Sequence, residues 1–424
     1  MTAEGSPPLL SSPPPGNGRH PSHRLDLSRS ESTWSLAALF LGLFWAIGNI
    51  NYARPQASVF LLFIAGLAAG ALLLSGRRIA DWAVLGWAAA IGIIDRFAQV
   101  AFNGSDVIGV TVEAIHVVTI GGNPYAHTYH QTRPQGSPFP YLPGEIAWYG
   151  LLQRLTGHVV GVDKWAGIGI VLLLAGLAFA AGPGPAALAT VLYATFQPAI
   201  LRSLDGSNDT SLGFLILLAV VLLAAHGRFR LPVLFYLSAA FFGWALLFKA
   251  FAWLIYPFVV NHLRHSGHAW QRYATVGLGM TILVCLPFAA TAPTGFVRNV
   301  VAGLSFHRRP FGLDIWAALG HSSVERIGIQ MAPVLVVVAV LLLAAIFLRF
   351  PAISLGTALL QGCGVVLVAL LFARYATSSY YTFVCAILAA ALPLSIGGRA
   401  RFPRSPYGSA ATSRSRYRST ADEP

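Results

Sequence analysis

The residues best placed to do chemistry are few. Asp106 follows Ser105 just after an apolar run, and Lys249 lies inside Leu231–Val260, an almost uninterrupted apolar stretch. A carboxylate at such a position can accept a proton from a hydroxyl. A lysine in such surroundings costs roughly 2.5 to 3.5 kcal/mol to insert and marks a functional site by default. Its competing role is to snorkel to an interface. Arg202, Arg374 and the run His307-Arg308-Arg309 are further cations from which contacts to a phosphate could be drawn. His262, His265 and His268 recur every three residues but have no carboxylate or cysteine beside them, so a solvated loop explains them better than a metal site. No metal or cofactor is expected.

The longest external segment, Asn103–Lys164, opens with Ser105-Asp106-Val107 near its start. Ile108–Ile120 is apolar-rich, carries Glu113 and His116, and is too short to span a bilayer. It reads as a helix lying in the interface plane and stopped by Gly121-Gly122. Glu113 lies on nearly the same helical face as Asp106 and reads as a solvated carboxylate, with the base or a sugar contact as the alternative. Then come Asn123-Pro124-Tyr125, His127, Tyr129, His130 and Arg133, and a proline-punctuated loop, Pro138–Glu145, that contains Tyr141. Such aromatic and hydrogen-bonding groups suit a sugar ring and its hydroxyls. Further on, Asp205 and Asp209 fit helix capping, with acceptor contact as the competitor. Asp106 itself could cap the following helix. The neighbours Asp95 and Arg96 cannot face each other on a helix and read as structural.

What must position these residues is a set of membrane-spanning helices. The chain has 424 residues, of which 56% are hydrophobic and only 10% charged, with a mean hydropathy of +0.65; an ordinary soluble domain is about 25% charged. The expected fold is all-α, a polytopic transmembrane helical bundle of about twelve spans with interfacial helices in its external loops. The apolar segments lie near 34–51, 57–75, 79–101, 166–182, 185–201, 211–226, 231–247, 250–261, 274–291, 331–348, 352–372 and 379–396. Leu231–Val260 would be roughly 45 Å long as one helix. Basic loops flank it on both sides, so it is divided into two short spans that meet near Lys249.

With the N-terminus inside, Arg77, Arg78, Arg228, Arg230, Arg264, Arg272 and Arg349 fall on the cytoplasmic side, as the positive-inside rule requires. Asp106, Glu113, Glu145, Asp163, Asp205, Asp209, Asp314 and Glu325 then fall outside. Residues 1–32 and 398–424 read as disordered cytoplasmic tails around a membrane domain at 33–397. The formal charge of +13 is scattered through short loops and tails, with no basic face to track nucleic acid, so membrane lipids are the expected partner. Cys285, Cys363 and Cys385 all fall within spans and imply no disulfide framework.

An acidic residue after a span, an interfacial helix, Gly-Gly-Asn-Pro-Tyr and a Tyr-Leu-Pro loop resemble the C-type glycosyltransferase superfamily. Asp205-Gly206-Ser207-Asn208-Asp209, Lys249, Arg374 and Ser378-Ser379-Tyr380-Tyr381 follow in the same order. Within that superfamily the chain is most similar to the bacterial polyprenyl-phosphate-mannose-type enzymes, over about residues 79–396. The resemblance implies that Asp106 is the base. It departs in having a single Asp rather than an adjacent acidic pair, and two spans before the one that leads into the loop.

The expected activity is an inverting transfer of a sugar, mannose foremost, from a polyprenyl-phosphate donor to a glycan or glycolipid acceptor. It would take place on the outer face of a bacterial plasma membrane. Richness in Ala, Gly and Arg, with only two lysines, fits a GC-rich bacterial genome. The candidate substrate contacts are Glu113, Asn123, Tyr125, His127, Tyr141, Arg202, Asp205, Asp209, Lys249, His307, Arg308, Arg309 and Arg374. A secondary transporter or lipid flippase would also use a broken helix with a buried charge, but no internal repeat relates the two halves.

Overall fold

The computed structural model describes residues 27–49, 56–76, 79–132, 135–302, 311–319, 323–350, 352–373 and 375–397. Three helices open the chain: α1 (Leu27–Asn49), α2 (Gln56–Leu74) and α3 (Ile79–Ala98). Two shorter ones, α4 (Asp106–Thr119) and α5 (Pro143–Thr156), flank an irregular loop. The next group is α6 (Val162–Gly176), the single turn α7 (Ala178–Ala181), α8 (Pro183–Ala194), α9 (Gln197–Arg202) and α10 (Asp209–Phe229). Then follow α11 (Pro232–Leu246), α12 (Phe251–His265), α13 (Trp270–Thr291) and α14 (Pro293–Ala302). The last elements are β1 (Phe311–Gly312), α15 (Ile315–Leu319), α16 (Ser323–Arg349), α17 (Leu355–Phe372), β2 (Tyr375–Ala376) and α18 (Ser378–Gly397). The two-residue strands form one parallel bridge, with Phe311 opposite Tyr375. Otherwise the described fold is helical. Helix α1 reaches back to Leu27, inside the stretch read as a tail; residues 1–26 and 398–424 lie outside the described residues.

Seven helical stretches among the described residues are long and apolar enough to cross a membrane: 32–49, 162–181, 209–229, 270–291, 330–349, 355–372 and 378–396. Ser58–Leu74 and Pro232–Leu246 are shorter apolar helices. Punctuation follows residue type. Pro183 and Pro232 open α8 and α11 at positions where a missing N–H costs nothing. Arg230 ends α10 in the left-handed conformation, at φ 60°.

One core unites α1, α2, α3 and α8. In it the Trp87 indole occupies space left by Gly42 and Gly66 and donates to the Leu62 carbonyl at 2.7 Å. Ser35 donates to Asp81 at 2.5 Å and ties α1 to α3. A larger core joins α5, α6, α8, α10, α11, α12, α17 and α18. A third, small cluster of Val110, Ala114, Tyr125, Tyr129, Phe139 and Ile146 packs the 123–141 loop onto α4 and α5. Helices α13 and α16 sit at the rim: only 11% and 6% of their apolar windows are buried within the protein.

The division of Leu231–Val260 is present as expected. Helix α11 stops at Leu246, Lys249 lies in the turn, and α12 starts at Phe251. The start of α5 docks on this break. Gly144 N–H donates to the Leu247 carbonyl at 2.9 Å, and a Cβ on Gly144 would lie 2.5 Å from that of Leu247. Trp244 Nε1 donates to the Gly144 carbonyl at 2.9 Å.

Candidate functional site

Helix α4 has a defined start and stop. The Ser105 side chain caps it by accepting from Val107 N–H at 3.3 Å, which leaves Asp106 at the first helical position rather than as the cap. Its stop is the expected Gly121-Gly122. Gly121 has φ 80°, its N–H donates to Val118, and Gly122 N–H donates to Val117 at 2.8 Å, together a Schellman closure. Asp106 lines a cavity of about 230 Å³ with Asn103, Ser105, Gly109, His130, Gln131 and Thr132. The wall is polar and holds amide, hydroxyl, imidazole and carboxylate groups.

The segment leading into α4 lies along the turn 204–209. Phe102 N–H donates to the Leu204 carbonyl at 2.9 Å, and Gly104 N–H to the Asp205 carbonyl at 3.2 Å. Gly206, at φ 73°, admits Ile108; a Cβ there would come within 2.1 Å of the Ile108 side chain. The same turn carries Asn208 and Asp209. Lys249 Nζ donates to Asp209 Oδ1 at 2.6 Å and to Asn208 Oδ1 at 3.1 Å. The Asp209 side chain is 1% exposed and that of Lys249 10%. Around the third ammonium N–H stand the rings of Tyr380 at 4.4 Å, Tyr141 at 5.7 Å and Phe251 at 5.8 Å. Lys249 therefore does not snorkel; it is an oriented cation in an aromatic setting.

A relay of side chains continues from it. Asn208 Nδ2 donates to Glu145 Oε2 at 2.7 Å, and Thr111 donates to Glu145 Oε1 at 2.7 Å. Thr111 is on α4, Glu145 on α5 and Asn208 before α10, so one hydrogen-bonded path links the helix of Asp106 to Lys249. Asn208 is fully buried and adopts φ 58°, which Asn tolerates better than most residues. Burial pushes the Glu145 carboxyl up to about 8, against hydrogen bonds from Thr111 and Asn208 and the charge of Lys249. Burial likewise raises the Tyr141 hydroxyl, helped by Glu145, Tyr380, Asp209 and Asp106.

The raised Glu145 value has a sign that can be tested. A carboxyl whose folded pKa exceeds its ordinary 4.5 contributes stability that is full below that value and is lost as pH rises through about 8. The apparent unfolding temperature in detergent is expected to fall between pH 5 and 9. Glu145→Gln, a mimic of the neutral acid, should flatten that slope. An unchanged slope in the variant would assign the dependence to other groups.

Arg202 and Asp205 form an ion pair, and Arg202 also donates to the Ser378 hydroxyl through Nη2 at 2.7 Å. The Asp205 Oδ1 atom accepts from Ser207 N–H at 3.1 Å. Neither Asp205 nor Asp209 acts as a simple cap: Asn208, at the cap position of α10, makes no side-chain capping bond, and Asp209 is committed to Lys249.

Other predicted contacts are engaged in holding the loop. Glu113 is not merely solvated. It accepts from the His127 ring at 2.9 Å and from the N–H groups of His130 and Gln131, at 3.1 Å and 3.3 Å on Oε2. Burial opposes its ionisation, but these bonds outweigh it and lower its pKa. Asn123 spans from Tyr125 N–H to the Phe288 carbonyl and the Thr291 hydroxyl. Tyr125 is fully buried, with its hydroxyl donating to the Tyr141 carbonyl at 2.9 Å. His307, Arg308, Arg309 and Arg374 lie outside the described residues.

Three partners escaped the sequence reading as site residues: Glu145, Asn208 and Tyr380. Tyr380 stands in the Ser378–Tyr381 run of the resemblance, and its ring faces Lys249. A usable signal for Glu145 was its place in the first turn of a helix opened by Pro143 and followed by Ile146, Trp148 and Tyr149, which leaves little polar surface around it. Among the described residues no group of three or more His, Cys, Asp or Glu is arranged to hold a metal ion. Comparison with known proteins finds no matching family, curated protein or solved structure.

Proposed function

We propose that this chain is an inverting glycosyltransferase that moves a sugar, mannose foremost, from a polyprenyl-phosphate donor to a glycan or glycolipid acceptor. The observation that carries this reading is the turn 204–209, which holds the approach to Asp106 through its backbone and Lys249 through Asn208 and Asp209. A carboxylate on a polar cavity and a cation on an aromatic-lined wall thus share one support. At about 230 Å³ the cavity falls below the roughly 300–1,000 Å³ of pockets for drug-sized ligands. It suits a single polar ring.

In the reaction Asp106 takes the proton of an acceptor hydroxyl as its oxygen bonds to C1 of the donor sugar. The bond from C1 to the phosphate oxygen breaks, and the phosphate leaves with the electron pair. Phosphate needs no general acid, only cationic stabilisation, here from Lys249 and Arg202. One displacement inverts the anomeric centre. The proposed setting is a bacterial plasma membrane crossed about twelve times, with both termini inside, α4 in the outer interface plane and the site facing out. The order of residues resembling the C-type superfamily supports the same reading.

The direct test supplies labelled polyprenyl-phosphate mannose and a glycolipid acceptor to membrane vesicles of known orientation. Transfer is expected when both substrates meet the outer face. Movement of lipid or solute across proteoliposomes with no donor sugar ever transferred would replace this reading with a transporter.

A further inference from the structure

Asp163 stands in the first turn of α6 and is 2% exposed. Its carboxylate collects donors from two other helices. Tyr149 of α5 donates to Oδ2 at 2.7 Å, while the Ser211 hydroxyl and Ser211 N–H of α10 donate to Oδ1 at 2.6 and 3.1 Å. Ser211 is the third residue of α10, so this is a helix-capping bond supplied by a different helix. It replaces the cap that Asn208 would ordinarily provide, since Asn208 makes no such bond.

The consequence reaches the candidate site. With the α10 N-terminus held from α6, the side chains of Asn208 and Asp209 are released from capping and both turn to Lys249. The same carboxylate fixes Tyr149, one turn of α5 beyond Glu145, which grips the other end of Asn208. We propose that Asp163 is a positioning residue: by capping α10 across helices it sets Asn208 and Asp209, and through them the ammonium of Lys249. The role in catalysis rests on the transferase reading above; the role in placing Lys249 does not.

Only two lysines occur in the chain, which makes the placement directly measurable. In a Lys164→Arg background Lys249 is the sole lysine, and its acylation by an amine-reactive ester can be followed by mass spectrometry on the full chain in detergent. Asp163→Ala is expected to speed that labelling about tenfold, because three buried donors lose their acceptor and the turn opens locally. Asp209→Asn serves as the positive control. Asp163→Asn keeps an acceptor for Ser211 and should stay near the parent, and Ser211→Ala should fall between.

Cys363, buried in α17, is the reference for general loosening and should remain unreactive to maleimide. Labelling of Lys249 at the parental rate in Asp163→Ala, with the control responding, overturns the proposal. So does a parallel rise at Cys363, which would make Asp163 a packing residue. If Asp163→Ala does not fold, Ser211→Ala decides on the same terms. In the transfer assay, Asp163→Ala should raise the donor KM and leave the acceptor KM unchanged. Absence of transfer by the unsubstituted protein would overturn the function while the labelling still decides Asp163.

Discussion

Lys249→Ala is expected to cost the fold about 3–5 kcal/mol, the range for removing one partner of a buried ion pair. The reason is the charge left behind. Asp209 is 1% exposed on its side chain and its cation is 2.6 Å away, so truncating the lysine strands a carboxylate where water does not reach. The effect should be repaired in a specific way. Lys249→Ala combined with Asp209→Asn removes both charges and should recover most of the apparent unfolding temperature, since a neutral pair has no desolvation debt. Transfer should stay lost in that double variant, because the cation proposed to meet the donor phosphate is gone. A double variant as unstable as the single one would show that the ion pair is not the source of the loss. A double variant with full transfer would remove Lys249 from donor binding.

Asp106→Asn is expected to act in the opposite sense, with little change in stability and a loss of transfer of about 10²–10⁴-fold, the scale of a general base. The side chain stands at the first position of α4, where Ser105 already caps the helix, so an amide there leaves the local structure standing. The polar cavity it lines should still admit an acceptor. The loss should therefore appear in kcat with the donor KM unchanged. Full activity in Asp106→Asn would remove it as the base and turn attention to Glu113 or Glu145 in the same segment.

These two expectations differ in how far they could be read from the chain alone. The break at Lys249 was legible because helix length and flanking charge both forbid a single span through Leu231–Val260. The stop of α4 was legible because Gly121-Gly122 is a local signal, and local signals survive folding. The apolar segments were legible as helices, and seven stretches among the described residues have span length and composition. What could not be read was pairing across distance. Glu145 and Asn208 are 63 residues apart, Asp163 and Ser211 48, Lys249 and Asp209 40. Periodicity says which face of a helix is apolar, not which polar group it will meet. Asp209 looked like a cap for the same reason: position in its own helix is visible in the sequence, while the cap supplied by Asp163 is not. Glu113 looked solvated because the loop that folds back onto it has no pattern of its own.

The rim helices α13 and α16 bear on how this molecule can be handled. Only 11% and 6% of their apolar windows are fully buried, so each leaves an outward face for acyl chains while α13 packs on α11 and α16 on α17. The polar site is built instead on α4, α5, the turn before α10 and the break before α12, with α5 docked on that break and α10 packed on α11 and α18. Solubilisation thus meets two different materials. A micelle that shields α13 and α16 poorly is expected to disturb the 123–141 loop before the relay from Thr111 to Lys249, because Asn123 and Tyr125 rest on Phe288 and Thr291 of α13.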